Sequence, residues 1–361
     1  MAGSINIPSA VESLGHHANV GNTQLKTVPI SPQVHSEVAV IIPCYNVERY
    51  LQRALDSVFS QTFSDFEIYA VDDGSTDGTT RVLEANANRC RFVSQTHAGP
   101  AAARNRAIRM SNSPFVAFLD ADDEWLPRKL ESQIALLKQD PALGLACSLG
   151  SFDESGDEKR ANPAADNIPR SGRMFQSLVR DCFVFTPTAV VRRRCLEEVG
   201  LFNESLAVSE DFNLWLRIAA HWPVVFSPEL LAVAHKRPES LSACLSPEQR
   251  LRYGIAALEH VQSSCPGLSP SEVRALREIL AERVYLYGSF LLSTGAKAPS
   301  RRTLASALML QPTHGRAFAR LILSFLPTRL TQPLVELKRK FLDKTMARKP
   351  APIAPRGAAS T

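Results

Sequence analysis

The first patterned stretch of the chain is Val38-Ala39-Val40-Ile41-Ile42, a continuous apolar, largely β-branched run halted by Pro43. A run with no polar face predicts a strand buried on both sides of a parallel sheet. From 47 to 61 the period changes. Tyr50, Leu51, Ala54, Leu55 and Val58 recur at helical spacing, with Asn46 placed to cap the N-terminus. The alternation then repeats, predicting strands over 66–71, 91–94 and 114–119 and helices over 79–87 and 100–110. Such alternation predicts a doubly wound α/β layer. Ligands of these sheets bind beyond the carboxyl ends of the strands, so the loops that directly follow strands are where chemistry is to be sought.

Further along, the pattern predicts a helix over 127–139, a strand over 143–149 and a polar loop over 153–172. Apolar stretches at 186–191 and 224–234 resume the sheet, with a helix over 211–220 between them. From Ser246 the chain reads helical, including 269–292 and 298–310. The expected organisation is a flexible leader over 1–36, rich in Ser, Asn, Pro and Gly, and a catalytic domain over 37–245. A helical extension over 246–349 and a disordered tail over 350–361 follow.

Composition narrows the class without naming a function. In 361 residues, 45% hydrophobic and 21% charged residues are those of a globular chain with ample core. The net charge of +5 is unevenly placed: from Arg316 to the end, ten Lys/Arg face Glu336 and Asp343, leaving about −3 for residues 1–315. A nucleic-acid partner is therefore not expected. The basic end instead permits contact with anionic lipid headgroups. Between Ala319 and Lys349 it interleaves Leu321, Ile322, Phe325, Leu326, Leu330, Leu334, Leu337 and Phe341 with basic residues, as in an interfacial helix. Seven widely spaced cysteines without a Cys-x-x-Cys pair point to a reducing compartment. With no apolar stretch near the roughly 20 residues that span a bilayer, the expected location is cytoplasmic, permitting a peripheral position on the inner face of the membrane.

Four polar motifs carry the candidate chemistry. Pro43-Cys44-Tyr45-Asn46 ends the first strand, where Tyr45 can stack on a nucleobase and Asn46 can hydrogen-bond it or simply cap the helix. Asp72-Asp73-Gly74-Ser75 ends the second, offering carboxylates for a ribose hydroxyl or base N–H on glycine-permitted turns. Asp120-Ala121-Asp122-Asp123 follows a buried apolar strand. Carboxylates crowded there repel unless something offsets them, and a hard oxygen-ligated cation would, Mg²⁺ or Mn²⁺ sharing its shell with a substrate diphosphate. The fourth, Glu210-Asp211, opens an apolar-faced helix. It can complement the helix dipole or serve as a base toward a hydroxyl.

In this order the four motifs resemble the family 2 glycosyltransferases over about residues 38–242, together with Ser60-Gln61-Thr62 and Gly99-Pro100-Ala101-Ala102-Ala103-Arg104-Asn105. The resemblance implies the GT-A fold, a mixed, mostly parallel doubly wound sheet flanked by helices, here with a C-terminal helical extension. It implies that Pro43, Tyr45, Asn46 and Asp73 hold the nucleoside, with Arg104 near the donor. Asp120 and Asp122 match the Asp-x-Asp motif, Asp122 as metal ligand, Asp120 as ribose or metal contact and Asp123 as a second ligand. Asp211 matches the general base, supported by Glu210. The implied reaction is an inverting transfer from a nucleotide-sugar, a UDP-sugar by expectation, to a saccharide or lipid-linked acceptor in cell-surface polysaccharide or glycolipid synthesis. One departure stands in Ala234-His235-Lys236-Arg237, where Ala234 and Arg237 replace the family's usual Tyr and His. His235 can reach the diphosphate or metal from a shifted position, or be structural. Two alternatives differ in class. A nucleotidyltransferase would want a Gly-rich, basic loop after the first strand, which Pro43-Cys44-Tyr45-Asn46 is not; a non-catalytic binding protein on the same fold would not require Asp122 and Asp211.

Overall fold

The computed structural model describes residues 36–154, 157–161, 168–235, 240 and 244–326. Its centre is a ten-stranded sheet of order β3-β2-β1-β4-β9-β6-β10-β5, with β7 on β6 and β8 on β10. The strands are β1 (Val38–Cys44), β2 (Phe66–Asp72), β3 (Cys90–Ser94), β4 (Phe115–Phe118), β5 (Glu124–Trp125), β6 (Leu145–Glu154), β7 (Asp157–Ala161), β8 (Ser171–Gly172), β9 (Val190–Arg192) and β10 (Val224–His235). The first four run parallel, and β10 runs parallel to β6. Strand β9 is antiparallel to both β4 and β6, so it joins two parallel halves into one mixed sheet. This is the mixed, mostly parallel GT-A arrangement expected from the sequence.

The apolar run that opens the fold is wholly sequestered: Val38 through Ile42 are each 0% exposed. Helix α1 (Glu48–Phe59) buries Leu51, Ala54, Leu55 and Val58 against it. Helices α2 (Thr79–Ala85), α3 (Pro100–Arg109) and α4 (Lys129–Gln139) connect the following strands. From β1 the chain builds outward through β2 and β3, then returns to lay β4 on the other side of β1. That reversal opens a crevice at the carboxyl edge, where the loops after β1, β2, β3 and β4 meet.

Three local expectations are corrected. Asn46 does not cap α1: it sits at φ 51°, Val47 holds the cap position, and no side chain of the cap residue bonds the helix. The amides at the start of the helix are instead held by the segment that follows β2, Val47 N–H by Thr79 Oγ1 and Glu48 N–H by Asp77 Oδ2. Residues 186–191 are not one strand but a 3-10 turn, Thr186–Thr188, followed by the three-residue β9, since Pro187 cannot donate to a ladder. Part of the loop over 153–172 is sheet: β6 runs on to Glu154, and β7 pairs back on it antiparallel. Ser171–Gly172 at its end form β8, and residues 155–156 and 162–167 of that loop lie outside the described residues, as do residues 1–35 of the leader, Arg237 and residues 327–361.

After β8 come α5 (Phe175–Arg180), α6 (Arg193–Val199), α7 (Glu210–His221), α8 (Pro247–Ser264), α9 (Pro270–Ser293), α10 (Lys297–Leu310) and α11 (Gly315–Phe325). Helix α8 opens on a full capping box between Ser246 and Gln249 and packs on α7, whose Asn213 donates to Ala257 O. The chain divides into two compact units between Arg283 and Val284. Among the described residues no helix is long and apolar enough to cross a membrane.

Candidate active site

The loops after β1, β2 and β3 are knitted into one wall. Asn46 Oδ1 accepts from Thr76 N–H (2.8 Å) while Ser75 Oγ takes the Asn46 N–H (3.0 Å), which holds Asn46 in its left-handed conformation. Asp72 is turned inward, accepting from Ser75 N–H and Thr80 Oγ1. Asp73 is 2% exposed, and its carboxylate is shared among Gln95 Nε2, Ala98 N–H, Gly99 N–H and His97 Nδ1 at 2.7–2.9 Å. It therefore shapes the loop after β3. Gly74, at φ 78°, is required by that approach, because a Cβ there would lie 2.9 Å from the His97 nitrogen. The wall ends in two stacked rings, Tyr45 and His97, with centroids 4.1 Å apart and planes 26° from parallel. Tyr45 is 45% exposed, an accessible aromatic face at the mouth of the crevice. His97 is a residue that the sequence reading did not single out.

Across the crevice, α3 delivers Arg104 into a charged junction. Its Nη2 lies 2.6 Å from Asp120 Oδ1 and its Nη1 2.7 Å from Glu210 Oε1, with the guanidinium almost fully buried. Beneath it, Phe118, Phe202 and Trp215 pack edge to face at 5.5–6.0 Å, so the ion pairs sit on an apolar floor. Burial alone would push Arg104 down, but Asp120 first and Glu210 next outweigh it and hold the guanidinium above the usual arginine range. Burial, and then Asp211, push Glu210 up to about 7 against the opposing pull of Arg104. The neighbouring Asn105 exchanges two hydrogen bonds with the backbone of Phe202, and Arg217 binds the carbonyls of Val199, Gly200 and Leu201. Together they fasten the segment that leads into α7.

That segment ends on Ser209, at φ 64°. Ser209 and Asn46 are the two non-glycine residues with positive φ among the described residues, and one lies on each side of the crevice. The turn brings Glu210 inward and leaves Asp211 half-buried at the first turn of α7. Asp211 Oδ2 accepts from Thr186 Oγ1 (3.0 Å), and Oδ1 accepts from Phe212 N–H. The 3-10 turn that carries Thr186 is itself clamped, Trp125 Nε1 donating to Pro187 O (2.8 Å) and Gln133 Nε2 to Thr188 O (2.7 Å). Thr186 and Gln133 were also missed from sequence, since neither belongs to a motif.

The acidic tip after β4 is a tight turn closed by Asp123 N–H on Asp120 O. Strand β5 then pairs with β10, which carries His235 to this turn from 112 positions away. His235 N–H donates to Asp123 Oδ1 (2.9 Å), and its Nε2 lies 2.7 Å from Glu124 Oε1, which also pairs with Arg53 (3.0 Å). Arg53 further binds the Asp122 carbonyl. Asp123 is buried; Asp120 and Asp122 are half-buried. Among the described residues no three His, Cys, Asp or Glu side chains converge into a preformed metal cage. The donor set at the tip is nonetheless carboxylate oxygen throughout, which fits a hard cation that takes one or two protein ligands and completes its shell from phosphate and water. Pro43 lies at the end of β1, beside Val71 in the ladder.

Comparison with known proteins agrees with this geometry. The family described as "Glycosyl transferase family 2" matches residues 39–200. The chain is 30% identical over 183 residues to the UDP-Glc:alpha-D-GlcNAc-diphosphoundecaprenol beta-1,3-glucosyltransferase WfgD of Escherichia coli, covering 50% of this chain and 69% of that protein. It is 30% identical over 187 residues to an uncharacterized glycosyltransferase of Rickettsia bellii, covering 51% of this chain and 26% of that one. The chain spans 26% to 53% of the length of the first curated relatives it matches. Among solved structures, TarS 1-349 of S. aureus in complex with UDP-GlcNAc superposes with a TM-score of 0.60 at 22% identity, covering 84% of this chain and 87% of that one, which establishes the shared fold. On these matches, and on the motifs gathered around the crevice, the chain belongs to glycosyltransferase family 2.

Proposed function

We propose that this protein is an inverting, metal-dependent glycosyltransferase that moves a sugar from a UDP-sugar to the hydroxyl of a saccharide or lipid-linked acceptor, in synthesis of a cell-surface polysaccharide or glycolipid. The observation that carries the reading is the Arg104 junction, which ties the acidic tip after β4 to Glu210, and so to Asp211, across one crevice. The uridine nucleotide and the lipid-linked acceptor are supported by the relative whose name contains UDP-Glc and diphosphoundecaprenol.

In this reading Tyr45 presents its ring to the base, while Pro43, Asn46 and Asp73 fix the shape of the nucleoside wall. A cation, Mn²⁺ or Mg²⁺, would be held by Asp122 with Asp120 and Asp123, His235 bracing the last through its backbone, and would neutralise charge on the departing diphosphate. Asp211 takes the proton from the acceptor hydroxyl as that oxygen bonds to the anomeric carbon, and the bond from that carbon to the diphosphate breaks with inversion. Thr186 holds Asp211 Oδ2, which directs the carboxylate. Arg104 keeps Asp120 in place, and Glu210 supports the base from the adjacent position.

A panel of nucleotide-sugars with Mn²⁺ tests the donor, read as thermal stabilisation and turnover. UDP-sugars are expected to stabilise the protein and dTDP- or GDP-sugars not to; stabilisation by none would overturn the donor assignment. Asp211→Asn is expected to lower kcat by about 10²–10⁴-fold while donor binding survives. Unchanged turnover in that variant would remove Asp211 from the role of base.

A further inference from the structure

We propose that the face formed by α10 and α11 in the second compact unit docks on an anionic lipid surface. Met309, Phe318, Ile322, Phe325 and Leu326 are 70%, 57%, 51%, 64% and 37% exposed, whereas the other large apolar side chains exposed among the described residues are Tyr45 and Leu286. The exposure is therefore concentrated in one short part of the chain. Phe318, Ile322 and Phe325 are four and three positions apart, so they lie along one side of α11, while Ala317 and Ser324, each 0% exposed, lie on the side that packs. A solvated apolar stripe of this kind, where the other described residues expose little large apolar surface, marks a contact site.

Charge decides what the contact is. From Lys297 to Leu326 the sequence carries five Lys/Arg and no Asp or Glu. Two of these basic groups border the stripe: the Arg301 guanidinium lies 4.2 Å from the centre of the Phe325 ring, and Lys297 Nζ donates to Leu326 O (2.8 Å). A second copy meeting it face to face would bring the same positive charge to it. Residues 327–361 hold eight Lys/Arg against Glu336 and Asp343, so the following segment is cationic as well. The complementary partner is anionic and accepts inserted aromatic side chains, which is the chemistry of an acidic headgroup layer over acyl chains.

The test is sedimentation of the full chain with vesicles of phosphatidylcholine alone or mixed with phosphatidylglycerol. Binding is expected on the mixed vesicles only. Phe318→Ser with Phe325→Ser is expected to weaken it on the order of a hundredfold, and Arg302→Gln by about fivefold, with the unfolding temperature of each variant unchanged. Equal binding to neutral vesicles, binding that the double variant leaves intact, or no vesicle binding by the unaltered chain would each overturn the proposal. So would a concentration-dependent dimer that the double variant abolishes, or capture by an acidic protein in place of vesicles. The readout is binding, not turnover, so this proposal stands or falls separately from the catalytic reading.

Discussion

Arg104 concentrates the residue-scale argument, because one buried guanidinium neutralises carboxylates 16 and 106 positions away in the chain. Arg104→Met leaves Asp120 and Glu210 without their counter-charge and is expected to cost about 3–5 kcal/mol, measured by denaturant unfolding. Arg104→Lys keeps the charge but not the two-pronged geometry, so it is expected to stay folded and to lose turnover. Glu210 provides a pH test. Its folded value of about 7 lies above the ordinary 4.5, so the native state binds this proton more tightly than the unfolded chain does. The stabilisation is complete below pH 4.5 and is lost as pH rises toward 7. Glu210→Gln is expected to flatten that part of the curve of unfolding temperature against pH; an unaltered curve would mean that Glu210 titrates normally. The motif residues were legible because three of the motifs sit at strand tips, where carboxylates and aromatic rings need a reason to be, and the fourth opens an apolar-faced helix. The partners of these residues were not. Nothing in the sequence shows that Asp73 spends its oxygens on the loop carrying His97, or that Asn46 is held at positive φ by Ser75 and Thr76.

At the scale of elements, the alternation of continuous apolar runs with helical periods made β1 to β4 and the helices between them readable to within a few residues. The pattern failed where pairing, not local sequence, decides. Strand β9 has three residues and takes its antiparallel direction from β4 and β6; α5 and α6 follow strands of only two and three residues, so no long apolar run announces them. The turn Thr186–Thr188 shows why such pieces matter. Trp125 and Gln133 fix its carbonyls, and its first hydroxyl fixes Asp211, so side chains of β5 and α4 position the candidate base through a single turn. Thr186→Val removes the donor while preserving shape and is expected to lower kcat on the order of tenfold or more, since a hydrogen bond to a charged group contributes about 1.5–3 kcal/mol. The donor KM is expected to stay, and Thr186→Ser to restore the rate. A loss in KM alone would assign the turn to substrate binding instead.

For the whole molecule, the sheet supplies the two walls of the crevice, but among the described residues it does not supply a complete metal cage. Asp120 is drawn toward Arg104, and Asp123 is engaged by the backbone of His235, so the protein alone offers a cation a partial shell. A cation held by few carboxylates binds weakly until a diphosphate adds its oxygens, and the diphosphate binds weakly until the cation offsets its charge against the acidic tip. In the proposed reading the two bind cooperatively, each raising the affinity of the other by the same factor. Stability reports this directly, because a ligand that binds only the native state raises the unfolding temperature according to its occupancy. Mn²⁺ alone and UDP alone are each expected to shift the unfolding temperature little, and the pair to shift it by more than the sum. Asp122→Ala is expected to leave the unliganded temperature in place and to abolish the excess. Additive shifts in the unaltered protein would show that nucleotide and cation bind independently, and the acidic tip would then have to be read as a solvated turn.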